Sequence, residues 1–204
     1  MLEPSPITIV NVGYLSTNYW VVSAGRSRIL VDLGYPGTMG IMRARLKQMD
    51  IPLKEIRYAL ATHYHIDHAG LAQELKMEGV GLLVLKTQIT AIPLMKQFTK
   101  LQDHYVDILL DGNVTITFTE SRAWLAQIGI PGEILPTPGH SDDSVSLLLD
   151  DGSVFIGDLT PLEHAWGETG ELVKASWQLL KEMGAKRVYP AHGEIRSIGK
   201  DMGN

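Results

Sequence analysis

The sequence predicts an α/β protein, on three observations. Short apolar runs rich in Val, Ile and Leu recur at strand length along the 204 residues. Longer stretches with apolar residues at helical spacing are interspersed among them. Gly, Pro, Asn and Asp mark the joins, as tight turns require.

Residues 7–12 (ITIVNV) and 19–23 (YWVVS) are expected as strands joined at the Ser16-Thr17-Asn18 turn. Residues 28–32 (RILVD) follow Gly25, and the spacing suggests an antiparallel meander. Residues 38–49 carry Met39, Met42, Leu46 and Met49 on one helical stripe, with the methionines read as core. Residues 56–62 (IRYALAT), after Pro52, read as a buried strand, and 69–77 as a helix. Residues 82–85 (LLVL) are a strand, and 87–105 look helical with an interruption at Pro93. After the Asp111-Gly112-Asn113 turn, 114–119 (VTITFT) form a strand and 121–128 a short helix. Residues 133–138 are a strand, and 144–149 pair with 153–157 in a hairpin across Asp150-Asp151-Gly152. Residues 171–183 form a helix with Leu172, Ala175, Trp177, Leu179 and Leu180 mostly inward, and 187–189 a last short strand. No repeat, low-complexity tract or linker divides the chain, so one domain over 1–204 is expected.

The segment Thr62-His63-Tyr64-His65-Ile66-Asp67-His68 holds three of the seven histidines and one carboxylate within six residues. Imidazole and carboxylate are the usual ligands of zinc and similar divalent ions, and core packing does not explain such a cluster. His63 and His65 stand two apart at a strand end, so their side chains point the same way and can reach one ion. Asp67 and His68 follow at a helix start and can be aimed at a second position. An Asp in a first helical turn also serves as cap or dipole partner, but beside three histidines that role is secondary. Three later strands each deliver one polar side chain next to a glycine: 133–138 into Gly139-His140, 153–156 into Gly157-Asp158, and 187–189 into Pro190-Ala191-His192-Gly193. Glycine lets the backbone turn sharply or approach a ligand closely.

This set resembles the metallo-β-lactamase superfamily, whose signature is an early strand-end Asp, then HxHxDH, then a His, an Asp and a His at later strand ends. Here these are Asp32, His63/His65/Asp67/His68, His140, Asp158 and His192, all in order and spanning most of the chain. The resemblance implies a four-layer αβ/βα sandwich with the site at one edge of two sheets. It implies that His63, His65 and His140 bind one metal, that Asp67, His68 and His192 bind another, and that Asp158 bridges them. Asp32 is then a hydrogen-bonding support of the histidine loop. Two divalent ions about 3.5–4 Å apart would share a bridging hydroxide, able to attack an electrophilic carbon or phosphorus near neutral pH. Asp67 would also accept a proton or orient the nucleophile. Zinc is the default ion, with iron or manganese also suited to such donors.

Composition narrows the class. At 45% hydrophobic and 20% charged, the chain can bury one sizeable core. Its longest apolar stretch, about Val80 to Leu85, is far below a membrane span. The N-terminal MLEPSPITIV lacks the basic and apolar regions of a signal peptide, so a cytoplasmic location is expected. There is no cysteine, hence no disulfide and no thiolate ligand. A net charge of −5 offers no basic field, so a small-molecule substrate is expected rather than nucleic acid. Oligomeric state is not legible.

The superfamily hydrolyses thioesters, lactones, β-lactams and phosphodiesters on one platform, and a fold does not name a substrate. The TPGH run before His140 resembles glyoxalase II and related thioesterases. Against that, the sequence lacks that enzyme's helical region after His192, and Ser141-Asp142-Asp143-Ser144 replaces its usual Thr-Pro-Gly-Ser. Pro161 stands where homoserine lactonases carry a tyrosine, and the Asp158 bridge argues against a β-lactamase. The expectation is a dinuclear metal-dependent hydrolase of a thioester, ester, lactone or related electrophilic bond. The alternative is a mononuclear-iron dioxygenase acting on a thiol or persulfide, because such dioxygenases keep this motif. A catalytically dead scaffold predicts lost ligands, and none is lost. Segments 34–38, 97–106 and 159–170 are expected to wall the pocket, with Tyr35, His104, Tyr105, His164 and Trp166 as weaker candidates for contact.

Overall fold

The computed structural model describes residues 6–200. Residues 1–5 and 201–204 of the expected domain lie outside the described residues, and part of the N-terminal stretch read for a leader lies there too.

Backbone pairing sorts the strands into two sheets. The first is ordered β1 (Ile7–Asn11), β2 (Trp20–Ala24), β3 (Ser27–Val31), β4 (Tyr58–Leu60), β5 (Gly81–Leu85) and β6 (Val114–Ile116). Strands β1 to β3 are the antiparallel meander, in register Val10 to Val21 and Val21 to Leu30. From β3 to β6 the pairing is parallel. The second sheet contains β7 (Gly132–Pro136), β8 (Val145–Leu149), β9 (Ser153–Gly157), β10 (Arg187–Pro190) and β11 (Arg196–Ser197) in that spatial order. It too passes from antiparallel, across β7, β8 and β9, to parallel between β9 and β10.

Both faces of each sheet are apolar, so each must be covered twice. Ile29, Val31, Leu83 and Leu85 face Val145, Leu147, Leu149 and Phe155 across the gap between the sheets. The alternate residues Leu30, Leu82 and Val84 turn outward onto Met42 and Leu46 of α1 (Met39–Gln48) and Leu75 of α3 (Ala72–Met77). On the far side, Leu148, Val154, Ile156 and Val188 meet Val173, Trp177 and Leu180 of α5 (Gly170–Glu182). The result is helix, sheet, sheet, helix: the expected four-layer sandwich. Each fully buried Leu, Ile or Val contributes about 1.5–3 kcal/mol. Helix α4 (Phe118–Gln127) adds Leu125 to the inter-sheet core, and its Trp124 meets Tyr58 edge-on at 4.8 Å.

Several boundaries differ from expectation. The strand read over 56–62 is only Tyr58–Leu60, because side chains capture the backbone beyond it: Asp32 accepts from Thr62 N–H and Asp143 from Tyr64 N–H. The helix read over 69–77 begins earlier, as α2 (Ile66–Ala69), and resumes at α3. Residues 87–105 are three 3₁₀ segments, Lys86–Gln88, Ile92–Phe98 and Leu101–Asp103. Pro93 removes a donor there, and His104 adopts a left-handed φ of 53°, which a helix cannot continue through. Thr117 leaves β6 to start α4, with Glu120 accepting its N–H. In α5, Leu172 and Ala175 face outward and Val173 and Ser176 inward, a shift of the expected stripe by one residue. In α1 only Met42 and Leu46 are buried; Met49 is exposed. No helix among the described residues is long and apolar enough to cross a membrane.

Candidate metal centre

The strand ends of both sheets meet at one edge, and the polar residues that follow them converge there. Asp32 follows β3, the histidine segment follows β4, His140 lies in the β7–β8 loop, Asp158 follows β9, and His192 lies two residues after β10. All seven ligand candidates read from the sequence stand in this one cluster.

Their donor atoms fall into two overlapping groups. His65 Nδ1 lies 3.0 Å from both His63 Nε2 and His140 Nε2. In the second group, Asp67 Oδ2 is 3.5 Å from His68 Nε2 and 3.3 Å from His192 Nε2. Asp158 stands between them. Its Oδ2 is 3.6 Å from His140 Nε2 and 3.3 Å from His68 Nε2, and its Oδ1 is 3.4 Å from His192 Nε2. Neighbouring donors of a tetrahedral ion bound at about 2.0–2.1 Å stand about 3.3 Å apart, so these separations suit metal ligation. Three sets of donor atoms, His63/His65/His140, His63/His68/Asp158 and Asp67/His68/His192, each lie within 4.8 Å of one another.

Contacts behind the cluster fix which ring nitrogen faces in. His63 Nδ1 meets Thr62 Oγ1 at 3.2 Å, and Thr62 Oγ1 in turn donates to Asp32 Oδ1 at 2.9 Å. His68 Nδ1 lies 3.1 Å from Asp32 Oδ2, and His192 Nδ1 donates to the Ser16 carbonyl at 2.7 Å. In His63 and His192 the outward nitrogen is hydrogen-bonded, in His68 it faces a carboxylate, and in all three Nε2 is left for an ion. His68 Nε2 and Asp158 Oδ1 are buried and make no well-formed hydrogen bond, as expected of donors reserved for a cation, and His68 Nδ1 meets Asp32 as an ion-pair contact without hydrogen-bond geometry. Gly157 packs so closely that a Cβ there would lie 2.3 Å from Thr62 Oγ1, and its φ is 55°. Only glycine lets the Asp158 turn pass behind the histidine loop.

The electrostatics follow from burial and neighbours. Burial holds His63 well below the usual histidine range, and the nearby His68 and His140 add to this, so its ring stays neutral. His140 is lowered chiefly by burial, despite Asp158. Burial alone would lower His68, but Asp32 and Asp158 outweigh it and raise the group to about 10. Burial alone would raise Asp158, but His68, His192 and His140 together outweigh it and pull the group below its usual range. His63 and His68 are buried, whereas His140 and His192 are 30% and 41% exposed. The cluster therefore opens on the His140–His192 side, where a cavity of about 530 Å³ is lined by Ile156, Leu159, Thr160, Pro161, Glu163 and Arg196 besides the cluster itself.

Sequence reasoning named the ligand candidates and Asp32 behind them, but missed the other supports. Gln88 Nε2 donates to the carbonyls of Ala61, Thr62 and Asp143, and its Oε1 accepts from Leu85 N–H. Asp143 joins the His140 loop to Tyr64, and its place in Ser141-Asp142-Asp143-Ser144 was the only signal. Of the three segments expected to wall the pocket, 159–170 contributes Leu159, Thr160, Pro161 and Glu163. His164 and Trp166 do not line it; Trp166 is 75% exposed. His104 and Tyr105 line a separate surface hollow with Lys96 and Lys100.

The metallo-β-lactamase superfamily model matches residues 12–192, nearly all of the described chain. A β-lactamase-like protein 2 homologue of Caenorhabditis elegans is 28% identical over 95% of this chain and 59% of its own length. A lactamase-like protein of Trichophyton rubrum is 30% identical over 88% of this chain and 49% of its own. A probable metallo-hydrolase of Methanocaldococcus jannaschii is 27% identical over 90% of each chain. The chain spans about half to three fifths of the length of the first curated relatives it matches. Among solved structures, the BLEG-1 B3 metallo-β-lactamase superposes with a TM-score of 0.72 at 19% identity, covering 97% of this chain and 96% of its own. A metallo-β-lactamase family protein of Thermus thermophilus gives 0.70 at 18%, covering 96% and 76%. At these identities the likeness is one of fold.

Proposed function

This chain belongs to the metallo-β-lactamase superfamily, and from that premise we propose that it is a metal-dependent hydrolase working with two divalent ions, zinc by default, on a thioester, ester, lactone or related electrophilic bond. The observation that carries this is the placement of Asp158 between the two donor groups: its Oδ2 lies near His140 of the first and His68 of the second, and its Oδ1 near His192 of the second. The second group of Asp67, His68 and His192 offers three further donors, enough to hold a second ion.

His63, His65 and His140 would hold one ion and Asp67, His68 and His192 the other, with Asp158 between. Ions bound there supply a water of near-neutral pKa and a Lewis acid for the electrophilic oxygen. The protein's own residues do the rest. The cavity beside His140 and His192 receives the substrate and is of ordinary size for a small molecule. Its Ile156, Leu159, Pro161 and Pro190 exclude water from the scissile group, and Thr160 offers a hydroxyl for orientation. Asp67 turns Oδ2 to the two histidines. We assign Oδ1 as the atom that takes up the proton released in attack. The net charge of −5 and the polar-apolar lining suit a small, weakly charged substrate rather than a polyanion.

The test is a hydrolysis panel on zinc- or manganese-loaded protein: a glutathione thioester, a homoserine lactone, a chromogenic β-lactam and bis-p-nitrophenyl phosphate. The expected result is one thioester or lactone turned over far faster than the rest, with loss on chelation. His65→Ala should remove the first ion and abolish that activity, and full activity in the variant would sink the mechanism. Bound iron with thiol-dependent oxygen uptake and no hydrolysis would replace it with the dioxygenase reading.

A further inference from the structure

The turn between β1 and β2 reaches across the molecule to the His192 loop, and its contacts are confined to one half of the candidate centre. Asn18 Nδ2 donates to the carbonyls of Pro190 and Gly193, at 3.0 and 2.9 Å, so it spans Ala191-His192. Asn18 N–H donates to the Ala191 carbonyl at 2.6 Å. Its Oδ1 accepts from Asn11 Nδ2 at 2.8 Å, which fixes the amide the right way round. The Ser16 carbonyl accepts from His192 Nδ1. Thr17 is buried, and its Oγ1 donates to Asp67 Oδ2 at 3.3 Å. The turn is itself constrained: Tyr14 and Thr17 form a backbone bridge, and Leu15 is held at a φ of 56°. Two of the three donors of the second group are thus held by residues 16–18. The supports of His63 and of the His140 loop come instead from Thr62, Gln88 and Asp143.

We propose that residues 16–18 form a dedicated support for the second metal position, with Thr17 and Asn18 as positioning residues for Asp67 and His192. The inference rests on the two-metal reading above. The physical reason is that a ligand whose rotamer is fixed before binding loses less entropy on binding an ion. Without the Asn18 side chain the Pro190–Gly193 segment loses two hydrogen bonds, and the imidazole of His192 loses its registry with Ser16. Without the Thr17 hydroxyl, Asp67 keeps its place in the chain but not its orientation. The first group is untouched by either change.

The test is metal affinity, read apart from activity. Metal-free full-length protein is titrated with Zn²⁺ against a competing chelator, and with Co²⁺ while absorption is followed, with bound ions counted by elemental analysis. Wild type is expected to bind two ions. Thr17→Val keeps the side-chain shape and removes only the hydroxyl; it should hold the first ion as wild type does and bind the second about 10–100-fold more weakly. Thr17→Ser, which restores the hydroxyl, should restore the second affinity. Asn18→Ala should show the same selective loss; if it does not fold, the Thr17 pair alone decides. Two ions bound by Thr17→Val as tightly as by wild type, or both weakened equally, overturns the inference and leaves the two-metal reading standing. A wild-type protein that binds a single ion overturns both.

Discussion

Asp32 shows how much one side chain can govern at the residue scale. It is 1% exposed and sits at a φ of 59°, a conformation that costs a non-glycine residue about 1–3 kcal/mol. The return is that its two oxygens serve different partners. Oδ1 accepts from Thr62 N–H and Oγ1, and Oδ2 faces His68 Nδ1. A carboxylate at Oδ2 favours the His68 tautomer with the proton on Nδ1, which leaves Nε2 for an ion. Asp32→Asn should therefore fold, because an amide oxygen can still accept from Thr62. Its NH₂ would then face His68 Nδ1 and favour the opposite tautomer, with Nε2 protonated. The expected outcome is an unfolding temperature near wild type with zinc affinity of the second position lowered about 10–100-fold. Unchanged zinc affinity would show that Asp32 does not set the His68 tautomer.

At the element scale, two short segments carry more than their length suggests. The start of α4 rests on Glu120, which accepts from Thr117 N–H at 2.8 Å and from its hydroxyl at 2.7 Å. These bonds hold the Glu120 carboxyl below its usual value of 4.5. A carboxylate with a depressed folded pKa contributes stability above its unfolded pKa, and loses it as pH falls through the folded value. Glu120→Gln should thus melt below wild type at pH 7, and the gap should close as both are taken to about pH 3. Gln88 is the second case. Fully buried in the 3₁₀ segment after β5, it satisfies backbone groups of β5, the histidine segment and the His140 loop at once. Gln88→Leu fits the volume but orphans those groups, and each costs about 1–3 kcal/mol. A loss on the order of 3 kcal/mol in urea unfolding, with weaker metal binding at both positions, is expected; a neutral result would remove Gln88 from the scaffold. The sequence made strands legible where an apolar run stood out between turn residues, as in β3, β5 and β8. It concealed Gln88, because a buried glutamine among 3₁₀ turns leaves no periodic trace. It also concealed the early end of β4, because Asp32 and Asp143, distant in sequence, take the backbone groups that would have continued the strand.

At the scale of the whole molecule, the candidate ligands were legible because chemistry is carried by residue type and order, whereas their supports depend on which distant segments meet. Asn18 looks like an ordinary turn residue until β1–β2 and β10 are brought together 172 residues apart. The same long reach links the outer helix layer to the cavity. Trp177 of α5 is fully buried against Val154, Ile156 and Val188, and its Nε1 donates to the Thr160 carbonyl at 2.8 Å. Thr160 lines the cavity two residues after Asp158. The indole thus pins one wall of the proposed substrate pocket from behind while touching none of the metal donors. Trp177→Phe keeps an aromatic ring in the layer but removes the N–H. It should lose about 1–3 kcal/mol of stability from the unpaired carbonyl and the reduced volume. Its effect on catalysis should be uneven: KM for the substrate found in the hydrolysis panel should rise several-fold while kcat changes little, because the donor cluster is unmoved. Steady-state kinetics alongside metal stoichiometry separates the cases. A fall in kcat with two ions still bound would mean that α5 acts on the reacting atoms themselves and not on the wall that receives the substrate.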